Sequence, residues 1–315
     1  MSFVYARKLK NKFYILADSK ITISDDDSDR LKIRIGEKVY NDLKKFGVIK
    51  NVIINENICI ASAGVLEDFN ELLKYVDTQK INDINLISHQ ALNIHLHNNK
   101  RTDFIIAKID TNKELLEIKN GIISKVETSW LGSYNCFNIF QNIRHDKVFR
   151  DQIEDSYSVL IEEDKNRINY NEFPPITIDD IEKDIDFKAF DKAVKSNTDL
   201  TVGGYIVECI EHHNKFMYPE CINSTVEKPQ IVPSDGEINT YNEASEGGYT
   251  YHAYESNNNF KLYIYQMKKG IIYEPNINDP KYNHLRLPKI YNMKLDDFIK
   301  NNNIKQSITI NIEYE

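Results

Sequence analysis

The chain lacks a long apolar run. No stretch approaches the roughly 20 residues that cross a bilayer, and the mean hydropathy is −0.52, so neither a membrane span nor a membrane partner is expected. It also lacks a basic surplus. Lys and Arg number 40 against 48 Asp and Glu, a net charge of −8, whereas nucleic-acid and membrane-surface binders carry a basic footprint. No nucleic-acid partner is expected. Cysteine is scarce and unpaired in sequence. The four residues Cys59, Cys136, Cys209 and Cys221 form no CxxC, which argues against a disulfide framework or a zinc site and for free thiols in the cytoplasm. No internal repeat and no GxxxxGK[ST] segment is found, so any ATPase partner is a separate chain. The opening Met1–Arg7 has neither a basic stretch nor an apolar one, and no secretory signal is expected.

What is present suffices for a real core: 41% hydrophobic against 28% charged residues over 315 positions, one large domain or two by length. Phe3–Leu9 and Lys12–Asp18 read as a hairpin turning at Lys10-Asn11, with an apolar run continuous enough for a strand covered on both faces. Asn51–Ile54 and Asn57–Ala61 form a second strand pair. Leu66, Phe69, Leu72, Leu73 and Val76 recur at helical spacing, as do Ile84, Ile87, Ala91 and Ile94. Strands return at Phe104–Ile109, Glu114–Ile118, Gly121–Ile123 and Ser129–Ser133, and Phe137, Phe140 and Ile143 suggest a helix. Residues 161–178, with Pro174-Pro175, read as a loop. Asp179-Asp180 caps a helix carrying Ile181 to Val194, and Tyr205–Ile210 is a strand. Residues 222–246 look irregular. Strands follow at Tyr249–Tyr254, Lys261–Gln266 and Gly270–Tyr273, where alternating tyrosines suit core and sheet surface. Two helices between groups of strands are not the strict alternation of a doubly wound sheet. They suit two antiparallel sheets stacked face to face with helices outside.

Two features invite a metal reading. The run Ser24–Asp29 is acidic, but a calcium loop needs Gly and a distal Glu at set offsets, which Gly36 and Glu37 miss, so a solvated loop is expected. His95-x-His97 and His212-His213 have no acidic or cysteine partner at ligand spacing and read as surface histidines. No metal and no cofactor is expected.

The chemistry points to the N-terminus. Ser2 follows Met1, and a small second residue permits methionine removal, which would leave a residue bearing both a hydroxyl and an α-amine. Sixteen positions further on, across the hairpin, lies Ala17-Asp18-Ser19. Ile60-Ala61-Ser62-Ala63-Gly64 with Asp68, then Leu131-Gly132-Ser133, then Asp199-Leu200-Thr201-Val202-Gly203-Gly204 follow in order. Taken together this resembles the proteasome β-subunit family of N-terminal nucleophile hydrolases, over about residues 2 to 210. The resemblance implies an α+β, four-layer αββα sandwich, with a core over residues 1–215 and a C-terminal extension over 216–315 that completes the sandwich or adds a lobe. It implies Ser2 as nucleophile, supported by Asp18, Ser133, Asp199 and a lysine before the second strand pair. Lys50 fits that place, and Lys45, Lys44 and Lys32 compete for it. Backbone around Ala61, Ser62 and Ala63 would line the substrate cleft and hold the oxyanion. The family's nucleophile is threonine rather than serine, and Val202 stands where its Asp-x-x-Ser-Gly-Gly element has serine.

The function so implied is amide hydrolysis of a peptide or protein substrate through an acyl-enzyme on Ser2, in a homo-oligomer. The alternative is the same fold without catalysis, serving as a structural, sensing or partner-binding subunit. Intact-mass measurement is expected to show the chain one methionine short; Met1 retained on every copy excludes the hydrolase reading.

Overall fold

The computed structural model describes residues 2–10, 12–110, 112–166, 176–196, 198–218, 221–223, 250–253, 260–264, 267–275, 277 and 279–301. The chain is α+β, with three antiparallel sheets. The first sheet contains β1 (Phe3–Lys8), β2 (Phe13–Asp18), β8 (Thr128–Gly132), β9 (Ile206–His212) and β10 (Lys215–Met217), in the order β10-β9-β2-β1-β8. The second runs in sequence order: β3 (Asn51–Asn55), β4 (Ile58–Ala63), β5 (Asp103–Lys108), β6 (Glu114–Lys119) and β7 (Ile122–Lys125). The third comprises β11 (Cys221–Asn223), β12 (Thr250–Ala253), β13 (Phe260–Ile264), β14 (Lys269–Glu274) and β15 (Leu287–Asn292).

The unbroken apolar run of the first hairpin has a direct cause. Alternate side chains of a strand leave on opposite faces, and both faces of β1 and β2 are covered. Val4, Ala6, Phe13, Ile15 and Ala17 enter a core shared with the second sheet. Phe3, Tyr5, Tyr14 and Leu16 enter another, with residues of α5 (Tyr134–His145), α6 (Lys147–Asn166) and α7 (Ile178–Lys195). On the second sheet, α4 (Ile84–His97) packs against β5 and β6 and is itself in contact with α3 (Leu66–Gln79).

A buried amide joins the two sheets. Asn51, at the start of β3, donates from Nδ2 to the carbonyls of Ile15 at 3.1 Å and Val207 at 2.8 Å. Tyr218 secures the same strand, donating to the Asn51 carbonyl at 2.8 Å and accepting from the Ile53 N–H at 3.3 Å. Over the helices, the fully buried carboxylate of Asp186 accepts from the Tyr5 hydroxyl at 3.2 Å and Arg7 at 3.0 Å, and also meets Tyr14 and Arg144. One charge thus ties α7 to both strands of the hairpin and to α5.

Three sequence expectations change. Ser24–Asp29 is not a solvated loop: Ser24 caps α1 (Asp25–Ile35), its side chain accepting from the Asp27 N–H, and acidic residues favour the positive end of a helix. A second helix, α2 (Glu37–Phe46), follows directly, so the whole span before β3 is an inserted helical pair. The expected loop over 161–178 is partly α6, which extends to Asn166, and the cap of α7 is Thr177 with Asp180 in a reciprocal capping box. Residues 167–175 and most of 222–246 lie outside the described residues, as do Tyr249, Tyr254 and Tyr265. His95 is not on the surface. It is fully buried, with Nδ1 2.8 Å from the Thr102 carbonyl and Nε2 3.0 Å from the Gly121 nitrogen.

The inserted pair carries the third sheet. α2 packs on β15, and the Tyr273 hydroxyl donates to the Phe46 carbonyl at 2.7 Å. The chain between β14 and β15 runs along α3, where Asn70 donates to the Pro280 carbonyl at 2.9 Å and accepts from the His284 N–H at 2.6 Å. β10, which ends at Met217, closes the edge of the first sheet, and the third sheet begins at Cys221. Replacing Asn51 with Ala strands two buried carbonyls; urea denaturation is expected to show a loss of about 2–4 kcal/mol.

Candidate functional site

The two ends of the hairpin meet at one end of the strands in the interior of the first sheet. The ladder between β1 and β2 ends at Val4 paired with Ala17. One step further the side chain of Asp18 replaces the ladder: the Phe3 N–H donates to Asp18 Oδ1 at 2.7 Å. On the other side of β1, the Ser2 carbonyl accepts from the Ser133 N–H at 2.7 Å. The backbone of Ser2 is therefore held from both sides, by the Asp18 carboxylate and the Ser133 N–H, and only 6% of the residue is exposed. Gly132 is required by this approach: its φ is +90°, and a Cβ there would come within 1.8 Å of the Ser2 carbonyl oxygen.

Asp18 is fully buried and fully used. Oδ1 also receives the Lys50 ammonium at 2.8 Å, and Oδ2 receives the Gly203 N–H at 3.2 Å. The ammonium donates in addition to the Lys20 carbonyl at 2.5 Å. Lys50 is placed by the chain immediately before β3, and only 2% of it is exposed. Lys32 instead bonds Asp29 on α1, and Lys44 and Lys45 lie exposed in the last turn of α2. Of the four candidate lysines, Lys50 is the one that meets Asp18.

Burial pushes the Asp18 carboxyl up against the opposing pull of Lys50 and the N–H groups of Phe3 and Gly203. Burial likewise pushes Lys50 down against the pull of Asp18. Both shifts disfavour the charged forms, as expected for an ion pair whose desolvation is not fully repaid. Their contributions to stability therefore have opposite pH dependence to those of exposed pairs. That of Asp18 is fully present below its ordinary value and is lost as pH rises through the raised one. The penalty at Lys50 is full below its lowered value and fades as pH rises toward the ordinary one.

A second polar pair stands across Ser2 from the first. Ser133 caps α5, its hydroxyl oxygen accepting from the Cys136 N–H at 3.2 Å, and its side chain also bonds Asp199. Asp199 accepts from the Thr201 N–H at 2.9 Å and its hydroxyl at 2.5 Å. Burial works to raise the Asp199 carboxyl, but the bonds from Ser133 and Thr201 prevail and hold it below the usual range. Val202 is buried against the helices, and its N–H donates to the Asp199 backbone carbonyl at 3.1 Å.

Ala61, Ser62 and Ala63 end β4 beside this cluster, but their N–H groups are spent. Ser62 donates to the Lys50 carbonyl at 2.9 Å. Strand alternation turns Ala61 and Ala63 toward β5, where they pair with Ile105 and Asp103. They border the site as walls, not as oxyanion donors. Gly64 follows with a φ of +142°, and a Cβ there would come within 2.4 Å of the Arg101 carbonyl oxygen.

Sequence reasoning missed the Gly203 and Phe3 N–H groups as partners of Asp18. Glycine pairs after a turn were visible, but no sequence signal assigns a backbone N–H its acceptor. Among the described residues, no group of three or more His, Cys, Asp or Glu is arranged to hold a metal ion. No helix of the described residues is long and apolar enough to cross a membrane. No protein-family model and no curated protein matches this chain.

Asp18→Asn leaves a buried ammonium without its counter-charge, and urea denaturation is expected to show a loss of about 3–5 kcal/mol. Adding Lys50→Met to that variant is expected to recover most of the loss, because the pair's own desolvation cost goes with it.

Proposed function

We propose that the chain is an N-terminal-serine hydrolase of the proteasome β-like kind, a four-layer αββα sandwich that cleaves amide bonds of peptides through an acyl-enzyme on Ser2. The observation that carries the reading is the buried Asp18–Lys50 pair one hydrogen bond from the Ser2–Phe3 peptide, with the Ser133–Asp199 pair on the other side.

The chemistry follows from the position of a free terminus. A serine hydroxyl needs a base beside it. Removal of Met1 gives Ser2 an α-amine whose ordinary pKa is about 7.7–8.0, so a fraction is neutral near pH 7 and takes the hydroxyl proton. A Lys50 ammonium nearby disfavours a second cation and lowers the amine's pKa further. Asp18 works to keep the lysine charged and fixes its place. Ser133 and Asp199 hold the amine from the far side. As Ser2 Oγ bonds to the substrate carbonyl carbon, negative charge develops on the carbonyl oxygen and calls for a hydrogen-bond donor at the cleft. The amide C–N bond then breaks, the leaving amine taking the proton from the α-ammonium. Water hydrolyses the ester, releases the acid and restores Ser2.

A second reading has its own support. Ser2 is almost wholly buried and Val202 replaces one support of the amine, both of which suit a non-catalytic subunit that keeps the fold for assembly or sensing. Activity decides between them. On a panel of capped peptide amides, the parent is expected to cleave with a rate that rises through the range of the α-amine, and Ser2→Ala to lose at least about 10³-fold. Parent and variant equally inert, or equally active, remove Ser2 as nucleophile.

A further inference from the structure

The buried carboxylates of this chain are answered by cations: Asp18 by Lys50, Asp68 by Arg101, Asp186 by Arg7 and Arg144, Glu208 by Lys183, and Glu211 by Lys113. Asp103, at the start of β5, breaks the pattern. Its side chain is only 24% exposed, and among the described residues the one basic nitrogen within 4 Å of its carboxylate is His95 Nδ1, at 3.6 Å. That nitrogen is engaged with the Thr102 carbonyl, while Nε2 lies opposite the Gly121 N–H and accepts from it.

Lys119 pulls on this carboxylate from beyond ion-pair distance, its ammonium being engaged elsewhere. The Lys119 ammonium donates to the Trp130 carbonyl at 3.2 Å and lies 3.9 Å from the centre of the Trp130 ring. Glu117 adds a second negative charge, bonded by the Ser129 hydroxyl at 2.5 Å. Burial pushes the Asp103 carboxyl up, against Lys119 and His95 and with Glu117. An acid so placed gains most from a cation brought to it.

Its position says where that cation comes from. Asp103 is the cross-strand partner of Ala63 and shares its face of the sheet. The Ala63 methyl lies 3.4 Å from where a Cβ on Gly132 would stand, and that same Cβ would touch the Ser2 carbonyl. Asp103 is thus one strand away from the wall of the Ser2 site, on the face turned to the first sheet.

We propose that Asp103 is a specificity-determining residue that pairs with a cationic side chain, lysine or arginine, of a peptide bound at the Ser2 end of the two sheets. The inference rests on the reading of that end as a peptide site. Binding and cleavage separate the two. Capped peptides with one lysine walked along the sequence are titrated calorimetrically against full-length Ser2→Ala protein, beside the same peptides with Nε-acetyl-lysine. At one position the lysine peptide is expected to bind about tenfold more tightly, with a preference that shrinks as salt is added. Asp103→Asn and Asp103→Ser, each combined with Ser2→Ala, are both expected to abolish that preference while the acetylated peptide binds as before. Equal affinities at every position, a preference that survives in both variants, or no binding by either set overturns the proposal. Ser2-dependent cleavage without a lysine preference overturns this inference alone, whereas a lysine preference without cleavage overturns the hydrolase reading alone.

Discussion

A carboxylate that meets no solvent must find both a cation and hydrogen-bond donors, and the demands of Asp18 organise this end of the molecule. Its two oxygens gather the start of β1 through Phe3, the approach to β3 through Lys50 and the turn before β9 through Gly203. Three remote stretches of chain are held at one point by a group that burial alone would rather neutralise. The arrangement survives because the hairpin that delivers Asp18 is itself covered on both faces and has nowhere else to go. Ser2 inherits its position from this: it is the residue left between the Asp18 network and the Ser133 N–H.

The remainder of the fold reads as support for that convergence. The Asn51 amide keeps the second sheet against the first within one residue of Lys50. The Asp186 network fixes the helices over the outer face of the same hairpin. The inserted helical pair bridges the chain from Asp18 to Lys50, and its price is met by the third sheet, whose β15 and β14 pack against α2 and its C-terminal carbonyl. A long insertion between two members of one ion pair is tolerated because loop closure grows only slowly in cost with length and because this insertion builds its own contacts.

Much of this was legible in the residues. The continuous apolar run of the first hairpin and the 3.6 periodicity of α3 and α4 reflect burial that is two-sided in the one and one-sided in the others, and both leave a pattern. The spacing of Ser2, Asp18, Lys50, Ser133 and Asp199 brought forward residues that lie together. What stayed hidden has physical causes. The acidic run of α1 looks like solvent-exposed loop because a helix N-terminus welcomes the same residues. α6 was lost because polar residues dominate its second half. The burial of His95 depends on two backbone partners, Thr102 and Gly121, that no side-chain pattern announces. The strand ladder's claim on the N–H groups of Ala61 to Ala63 depends on register, which composition does not carry.

The backbone clasp on Ser2 has a practical side. The residue's carbonyl and the following N–H are both committed, one to Ser133 and the other to Asp18, at a place where a single added Cβ on Gly132 would collide. Anything joined ahead of Ser2 is attached directly beside those two anchors. An affinity handle for purification therefore belongs elsewhere on the chain, away from a residue whose backbone has no room to shift.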